Sequence, residues 1–274
     1  MAYHFIALDL DGTLTNSKKE VSPHTVEVLR RAAKRGVRII LASGRPEAGI
    51  FPVAETLGLR ELGGYILAYN GSRIIDCKTG QDILRRSISA ALYPNICESY
   101  HRFSVELLTY GQGGVITENP DDPYVRLECR INRIEAHRVA ALYPAIEGTV
   151  CKFLAVGVHE RLREFQRYLR EHYPKQLNVF FSETYFLEIV PPGIEKAASL
   201  ETLLHLLGGD RSELIACGDG LNDITMIDYA GLGVAMENAQ PSLRDRADYI
   251  TDTNDNDGVA QVVEKFLLRE TPAF

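Results

Sequence analysis

No run of about 20 consecutive apolar residues occurs in the 274-residue chain, so nothing in it reads as a membrane-spanning helix. The opening Met1-Ala2-Tyr3-His4-Phe5 lacks the basic region and long apolar stretch of a secretory signal, which makes a cytoplasmic location the expectation. Cysteine is sparse and scattered. Cys77, Cys97, Cys129, Cys151 and Cys217 are odd in number with no C-x-x-C pair, which argues against a disulfide framework and a zinc site. They are expected to pack as small apolar residues in thiol form. Positive charge is in deficit: 30 Lys plus Arg face 37 Asp plus Glu, for a formal net charge of −7. That balance repels phosphate backbones and anionic lipid, so neither nucleic acid nor a membrane surface is an expected partner. Internal repeats and low-complexity tracts are absent as well. Intrinsic disorder is excluded by 45% hydrophobic against 24% charged residues.

What remains is an ordinary globular composition, with a length that suits about two domains or one large α/β domain. Phe5 to Leu10 is a short apolar run stopping at Asp11-Gly12, as a buried strand ending in a turn would. Ser22-Pro23 offers a cap and a first helical residue, and Val26, Leu29, Ala32 and Ala33 follow at helical spacing. Val37 to Ala42 and Tyr65 to Tyr69 repeat the strand signal. After a long interval the rhythm resumes with a helix over Lys196 to Leu207, a strand at Leu214 to Cys217, a helix from Asn222, and a strand at Leu232 to Met236. A short strand near Tyr249 and a helix over Gly258 to Leu268 complete it. This alternation predicts an α/β fold, a doubly wound Rossmann-like parallel sheet with helices on both faces.

The middle of the chain reads differently. A helix near Ser89 to Phe103, an alternating, strand-like segment over Tyr124 to Ile131, a helix over Glu160 to His172 and a strand at Val179 to Phe181 suggest an inserted α+β module. Ile74 to Leu84 reads as a hairpin leading into it, and Ile189 to Gly193 as the return linker. The expected division is residues 1–81 and 191–274 for one domain and 82–190 for the other.

Chemically informative residues cluster where predicted strands end, which is where open α/β sheets bind ligands. Asp9-Leu10-Asp11-Gly12-Thr13 holds two carboxylates at i and i+2, pointing the same way from an extended chain. Like charges this close are costly without a cation, and a hard divalent ion such as Mg²⁺ relieves them. Ser43-Gly44-Arg45 sets a hydroxyl, an unencumbered amide and a guanidinium at a helix start, a combination suited to an oxyanion, although an ordinary helix cap has the same residues. Lys196 stands just inside a helix start, where the dipole disfavours a cation, so a partner anion is expected; a solvated surface lysine is the commoner alternative. Gly218-Asp219-Gly220-Leu221-Asn222-Asp223 adds two more carboxylates and an amide in a turn.

Taken together, D-x-D-G-T, S-G-R, a helix-opening Lys and G-D-G-x-N-D in this order resemble the haloacid dehalogenase superfamily. The position of the insertion is similar to that of its Cof-type (subclass IIB) phosphatases, whose cap domain covers the substrate. The resemblance implies that Asp9 is a nucleophile forming an aspartyl-phosphate and Asp11 the general acid and base. It implies that Asp9, Asp219 and the main-chain carbonyl of Asp11 hold Mg²⁺, with Asp223 holding a metal-bound water. Leu10, Ser43, Gly44, Lys196 and Asn222 are implied to bind the phosphoryl oxygens, with Arg45 and Asn70 near the substrate. A carboxylate at Asp11 points away from dehalogenation. Ala197 stands where family members often have Gly after the lysine, and Glu195 adds an acidic neighbour. Asn70-Gly71-Ser72 is formally a glycosylation sequon, an accidental match in a chain without a signal peptide.

The expected activity is Mg²⁺-dependent hydrolysis of a small phosphorylated metabolite, a sugar or sugar-alcohol phosphate. A sugar phosphomutase on the same core is the nearer alternative; a receiver-type phosphoacceptor or a silent phosphate binder ranks behind it. Within the insertion, Tyr110, Gln112, His159, Glu183, Tyr185 and Glu188 are candidates for contacts to the leaving group, with packing or solvation as the competing explanation for each. The glycine-rich stretch Gly111 to Gly114 does not match a nucleotide-binding G-x-G-x-x-G.

Overall fold

The structure, a computed structural model, describes residues 3–111 and 113–268, so candidate Gln112 lies outside the described residues. It divides into two compact units: one runs to Gly44, through Ile50–Leu84 and from Glu195 onward, and the other comprises Arg45–Gly49 and Arg85–Ile194. The strands that start ahead of the second unit's long segment, Arg85–Ile194, are β1 (Phe5–Leu8), β2 (Arg38–Ala42), β3 (Gly64–Ala68), β4 (Arg73–Asp76) and β5 (Asp82–Arg85). Those within it are β6 (Glu106–Gly111), β7 (Gly114–Thr117), β8 (Glu135–Arg138), β9 (Phe153–Val156), β10 (Asn178–Glu183) and β11 (Phe186–Val190). The last three are β12 (Leu214–Gly218), β13 (Leu232–Ala235) and β14 (Tyr249–Ile250).

The first unit is built on an eight-stranded sheet in the order β14-β13-β12-β1-β2-β3-β4-β5. From β14 to β3 every pairing is parallel, and β4 then turns back antiparallel on β3. The doubly wound reading therefore holds, with the Ile74 to Leu84 hairpin as its edge. β1, at the centre, is buried along its whole length. That is why Phe5 to Leu8 forms an unbroken apolar run instead of an alternating one. The helix Pro23–Lys34 starts where the sequence says: Ser22 Oγ accepts from Thr25 N at 3.0 Å, and Pro23 occupies a position that needs no N–H donor.

The second unit has a six-stranded sheet, β10-β11-β9-β6-β7-β8, antiparallel except for the β7–β8 pair. Two apolar layers cover it. One is centred on Tyr100, Leu107, Phe153, Phe165 and Leu187, and the other on Leu108, Val115, Val125, Leu154 and Phe186.

Three local expectations are corrected. Tyr124 to Ile131 is not a strand but part of the helix Pro123–Asn132, capped by Asp122, whose carboxylate accepts from Tyr124 N at 2.8 Å and Val125 N at 3.1 Å. Its buried positions, Val125, Glu128 and Asn132, have helical spacing, but two of the three are polar, so hydrophobicity alone could not show the period. Ser89 to Phe103 is interrupted: only Tyr93–Ser99 is α-helical, flanked by tighter 3₁₀ turns. β3 stops at Ala68, because Tyr69 and Asn70 turn left-handed with φ of 53° and 56°. Among the described residues, no helix is long and apolar enough to cross a membrane.

Candidate active site

Five loops of the first unit carry the candidate residues, four of them from carboxyl ends of β1, β2, β3 and β12 and the fifth from the start of the helix Lys196–Leu206. Strand order brings them together: β1 lies between β12 and β2, and β2 between β1 and β3. The loop after β1 is tethered at once, with Asp9 N donating to Cys217 O at 3.1 Å and Leu14 N to Asp9 O at 3.2 Å. Gly12 is required within it. Its φ is +79°, and a Cβ there would stand 2.3 Å from Asp219 Oδ2. Thr13 Oγ1 donates to Asp219 Oδ1 at 3.0 Å, so the first and last acidic loops are joined directly.

The second and third loops interlock through Ser43, whose N donates to Leu67 O and whose carbonyl accepts from Asn70 N, both at 2.9 Å. A Cβ on Gly44 would meet the Asn70 amide at 3.3 Å. Asn70 is buried, its Oδ1 accepting from Asn222 Nδ2 at 3.2 Å, while its Nδ2 donor has no hydrogen-bond partner. Gly71 lies against the helix Lys196–Leu206: its φ is +99°, Ser199 Oγ donates to its carbonyl at 3.1 Å, and a Cβ would sit 2.2 Å from that hydroxyl.

Lys196 is the pivot of the site. It is fully buried, and its Nζ donates to Asp9 Oδ1 at 2.6 Å and Asp223 Oδ1 at 2.5 Å. Burial alone would lower its pKa, but the Asp223 and Asp9 carboxylates outweigh that and raise it, so the side chain is an ammonium. Asp223 is engaged through both oxygens, Oδ2 accepting from the amides of Asp219 at 3.0 Å and Gly220 at 2.9 Å.

Carboxylate oxygens of Asp9, Asp219 and Asp223 all lie within 4.8 Å of one another. Three buried or half-buried carboxylates thus share one buried ammonium. The consequence appears in their acidity: burial, then the Asp223 charge, raises Asp9 well above the usual carboxylate range, and the same two causes push Asp219 up to about 7. Oxygen donors with this excess of negative charge fit a hard divalent cation, and Mg²⁺ is such an ion.

Asp11 lies at the edge of this group, half-exposed, its Oδ1 accepting from Lys19 Nζ at 2.5 Å. Leu10 is fully buried. Arg45 is counted with the second unit, where its guanidinium donates to Gly49 O at 3.2 Å and its charge acts on Glu128. Two residues in contact with this group, Thr13 and Lys19, carry no assigned role from the sequence. Thr13 stood within a quoted motif, whereas Lys19 has no motif to mark it.

Candidates in the second unit are dispersed. Tyr110 donates to Glu128 Oε1 at 2.6 Å, and Glu188 pairs with Lys152 at 3.0 Å, both partners buried. His159 meets Thr184 O at 2.8 Å and packs on Phe181, Tyr185 stacks on Tyr124, and Glu183 is exposed.

Comparison with known proteins bears on this arrangement. A family description, haloacid dehalogenase-like hydrolase, matches residues 6–263. The chain is 30% identical over 266 residues to a 5-amino-6-(5-phospho-D-ribitylamino)uracil phosphatase of Bacillus subtilis (strain 168), spanning 96% of this chain and 95% of that protein. It is 28% identical over 253 residues to an HMP-PP phosphatase of Serratia proteamaculans (strain 568), spanning 88% and 86%. The crystal structure of a haloacid dehalogenase-like hydrolase from Bacteroides thetaiotaomicron superposes with a TM-score of 0.92 at 44% identity, covering 96% of this chain and 99% of that one.

Proposed function

The chain belongs to the haloacid dehalogenase-like hydrolases, and from that premise we propose a Mg²⁺-dependent, Cof-type phosphatase acting on a sugar or sugar-alcohol phosphate through an aspartyl-phosphate. Hydrolysis of a phosphoric monoester on a small metabolite is its class of activity, as in relatives named phosphatases. The observation that carries the finer reading is the cluster of Asp9, Asp219 and Asp223 around Lys196, with two excess negative charges that a divalent cation neutralises.

In this reading Asp9, Asp219 and the main-chain carbonyl of Asp11 hold Mg²⁺, with Asp223 in support. When bound, the ion supplies positive charge that lets two anions, carboxylate and phosphoryl group, approach each other. Lys196, Asn222, Ser43 and the amides of Leu10 and Gly44 bind the phosphoryl oxygens; Asn70 contributes its buried, unpartnered amide donor nearby, and Arg45 lies near the substrate. Asp9 attacks phosphorus, the bond to the leaving oxygen breaks, and Asp11 gives that oxygen its proton. Asp11 then takes a proton from water, which attacks phosphorus, and Asp9 is regenerated with release of inorganic phosphate. The unit formed by Arg85–Ile194 is assigned to substrate selection. Free thiols at Cys77, Cys97, Cys129 and Cys217 suit a reducing cytoplasm.

The test is phosphate release from a panel of sugar phosphates, nucleotides and an aryl phosphate, with and without Mg²⁺. Metal-dependent release should fall by at least about 10³-fold in Asp9→Asn, because an amide cannot form the acyl phosphate. Full turnover in that variant would sink the nucleophile assignment, and an isomerised sugar phosphate in place of free phosphate would decide for a mutase.

A further inference from the structure

We propose that Lys19 is a positioning residue for the reaction, holding the Asp11 carboxylate in the one orientation from which it exchanges a proton with the leaving oxygen. This inference rests on the phosphatase reading above.

The Lys19 ammonium stands 2.5 Å from Asp11 Oδ1, with 43% of the lysine side chain and 33% of the aspartate side chain exposed. A pair this open to water returns little folding stability. The lysine nevertheless stands where the backbone is unfavourable for it: Lys19 has φ of +60°, in the left-handed region where residues other than Gly, Asn and Asp are uncommon. The conformation belongs to a three-residue turn, closed by Lys19 N donating to Asn16 O at 2.8 Å and Asn16 N to Glu20 O at 2.9 Å. Asn16 Oδ1 tightens it further by accepting from Lys18 N at 2.9 Å and Glu20 N at 3.1 Å. Gly or Asn would fit this turn with less strain, but neither carries an ammonium to Asp11.

The turn is also anchored from both sides. At its base Thr15 donates to Leu10 O through both N and Oγ1 at 2.8 Å, and Asn254 Nδ2 donates to Thr15 O at 2.9 Å. At its tip Ser17 donates to the Asp255 carboxylate through N at 2.8 Å and Oγ at 2.6 Å. Asn238 Nδ2 fixes the other side of Asp11 by donating to Gly12 O at 2.8 Å. A backbone held this firmly converts a flexible lysine into a defined donor. Asp11 follows the end of a strand and is half-exposed, and its Oδ1 meets that donor.

The experiment is a double-mutant cycle. Values of kcat and KM are measured for an alkyl and an aryl phosphate with the wild type, Lys19→Gly, Lys19→Arg, Asp11→Asn and Lys19→Gly/Asp11→Asn. Lys19→Gly removes the ammonium while easing the positive φ, so the turn persists, and a thermal melt within a few degrees of wild type checks that. The expected result is about a tenfold loss of kcat on the alkyl phosphate with KM changed less than about twofold, and a smaller loss on the aryl phosphate, whose leaving group needs less protonation. Lys19→Arg should restore most of the loss, and Lys19→Gly should cost nothing further once Asp11 is Asn. Undiminished kcat in Lys19→Gly, or an equal loss in the Asp11→Asn background, would overturn the inference while leaving the phosphatase reading intact. A wild type that releases no phosphate from any substrate would overturn that reading and this inference with it.

Discussion

Each unit buries a cluster of charges, and the two clusters differ in how their charges sum. In the first unit Asp9, Asp219 and Asp223 share the single ammonium of Lys196, and two of the three carboxyls are held well above their usual range. In the second, the buried cations Lys152 and Arg45 equal in number the buried carboxylates Glu188 and Glu128: Lys152 pairs with Glu188, and burial raises Glu128 against the opposing charges of Lys152 and, more weakly, Arg45. Lys152 and Glu188 approach to 3.0 Å, Ser182 Oγ donates to Glu188 Oε1 at 2.9 Å, and Tyr110 and Asn132 donate to Glu128 Oε1 at 2.6 and 2.7 Å. A cluster that closes electrically with its own residues needs no further ion; one left with excess negative charge is incomplete by itself. Burial of charge alone is therefore a poor marker of a metal site, and the imbalance is the informative part.

The largest effect that distinguishes the two should come from the balanced cluster. Lys152→Met leaves the Glu188 carboxylate buried without its cation and should cost about 3 kcal/mol of unfolding free energy, read by urea denaturation. Lys152→Met/Glu188→Leu should recover much of that, since an apolar pair replaces an ion pair. If the single variant were as stable as wild type, the pairing account of this cluster would be wrong.

The unbalanced cluster should respond in the opposite sense. Asp219 sits at about 7 in the folded chain against 3.8 as its ordinary value. Between those two values the folded state binds more protons than the unfolded state, so the metal-free protein should lose stability as pH rises from about 4 to about 7. Asp219→Asn should flatten that slope and melt higher than wild type at pH 7 without metal. Saturating Mg²⁺ should raise the wild-type melting temperature at pH 7, and the rise should be largely absent in Asp219→Asn. Melting that is independent of both pH and Mg²⁺ would contradict the charge imbalance.

The smallest expected effect sharpens the comparison inside the second unit. Tyr110→Phe removes one donor to Glu128 but leaves its other donor, Asn132, in place. A loss of about 1 kcal/mol in urea unfolding with an unchanged m-value is expected. A loss as large as that of Lys152→Met would mean that the hydroxyl, and not the cation, carries the balance.

Much of the fold and of the candidate site was legible from local signals. Ser22-Pro23 marked a helix start, and unbroken apolar runs marked β1, β2 and β12 as strands buried on both faces. Asp9, Ser43, Asn70, Lys196 and Asp219 stood out because each follows or opens an element whose end those signals place. Helix Pro123–Asn132 was misread because its buried face is polar at Glu128 and Asn132, and an Asp-Pro cap was its one clear sign. Lys19 was invisible for a different reason. A lysine two residues after Ser17 looks like any solvated lysine until the left-handed turn carries it back to Asp11.

By itself, the sequence determined the alternation of strands and helices and the residue types available at each strand end. Those are properties of neighbours along the chain, set by periodicity, caps and turn chemistry. The tertiary structure alone decided which charges meet: that Lys196 lies between Asp9 and Asp223, 187 and 27 positions away, that Thr13 reaches Asp219, and that Lys152 closes on Glu188. Strand order sets those distances, and the balance of charge within them follows only once burial has removed the water that would otherwise screen each group separately.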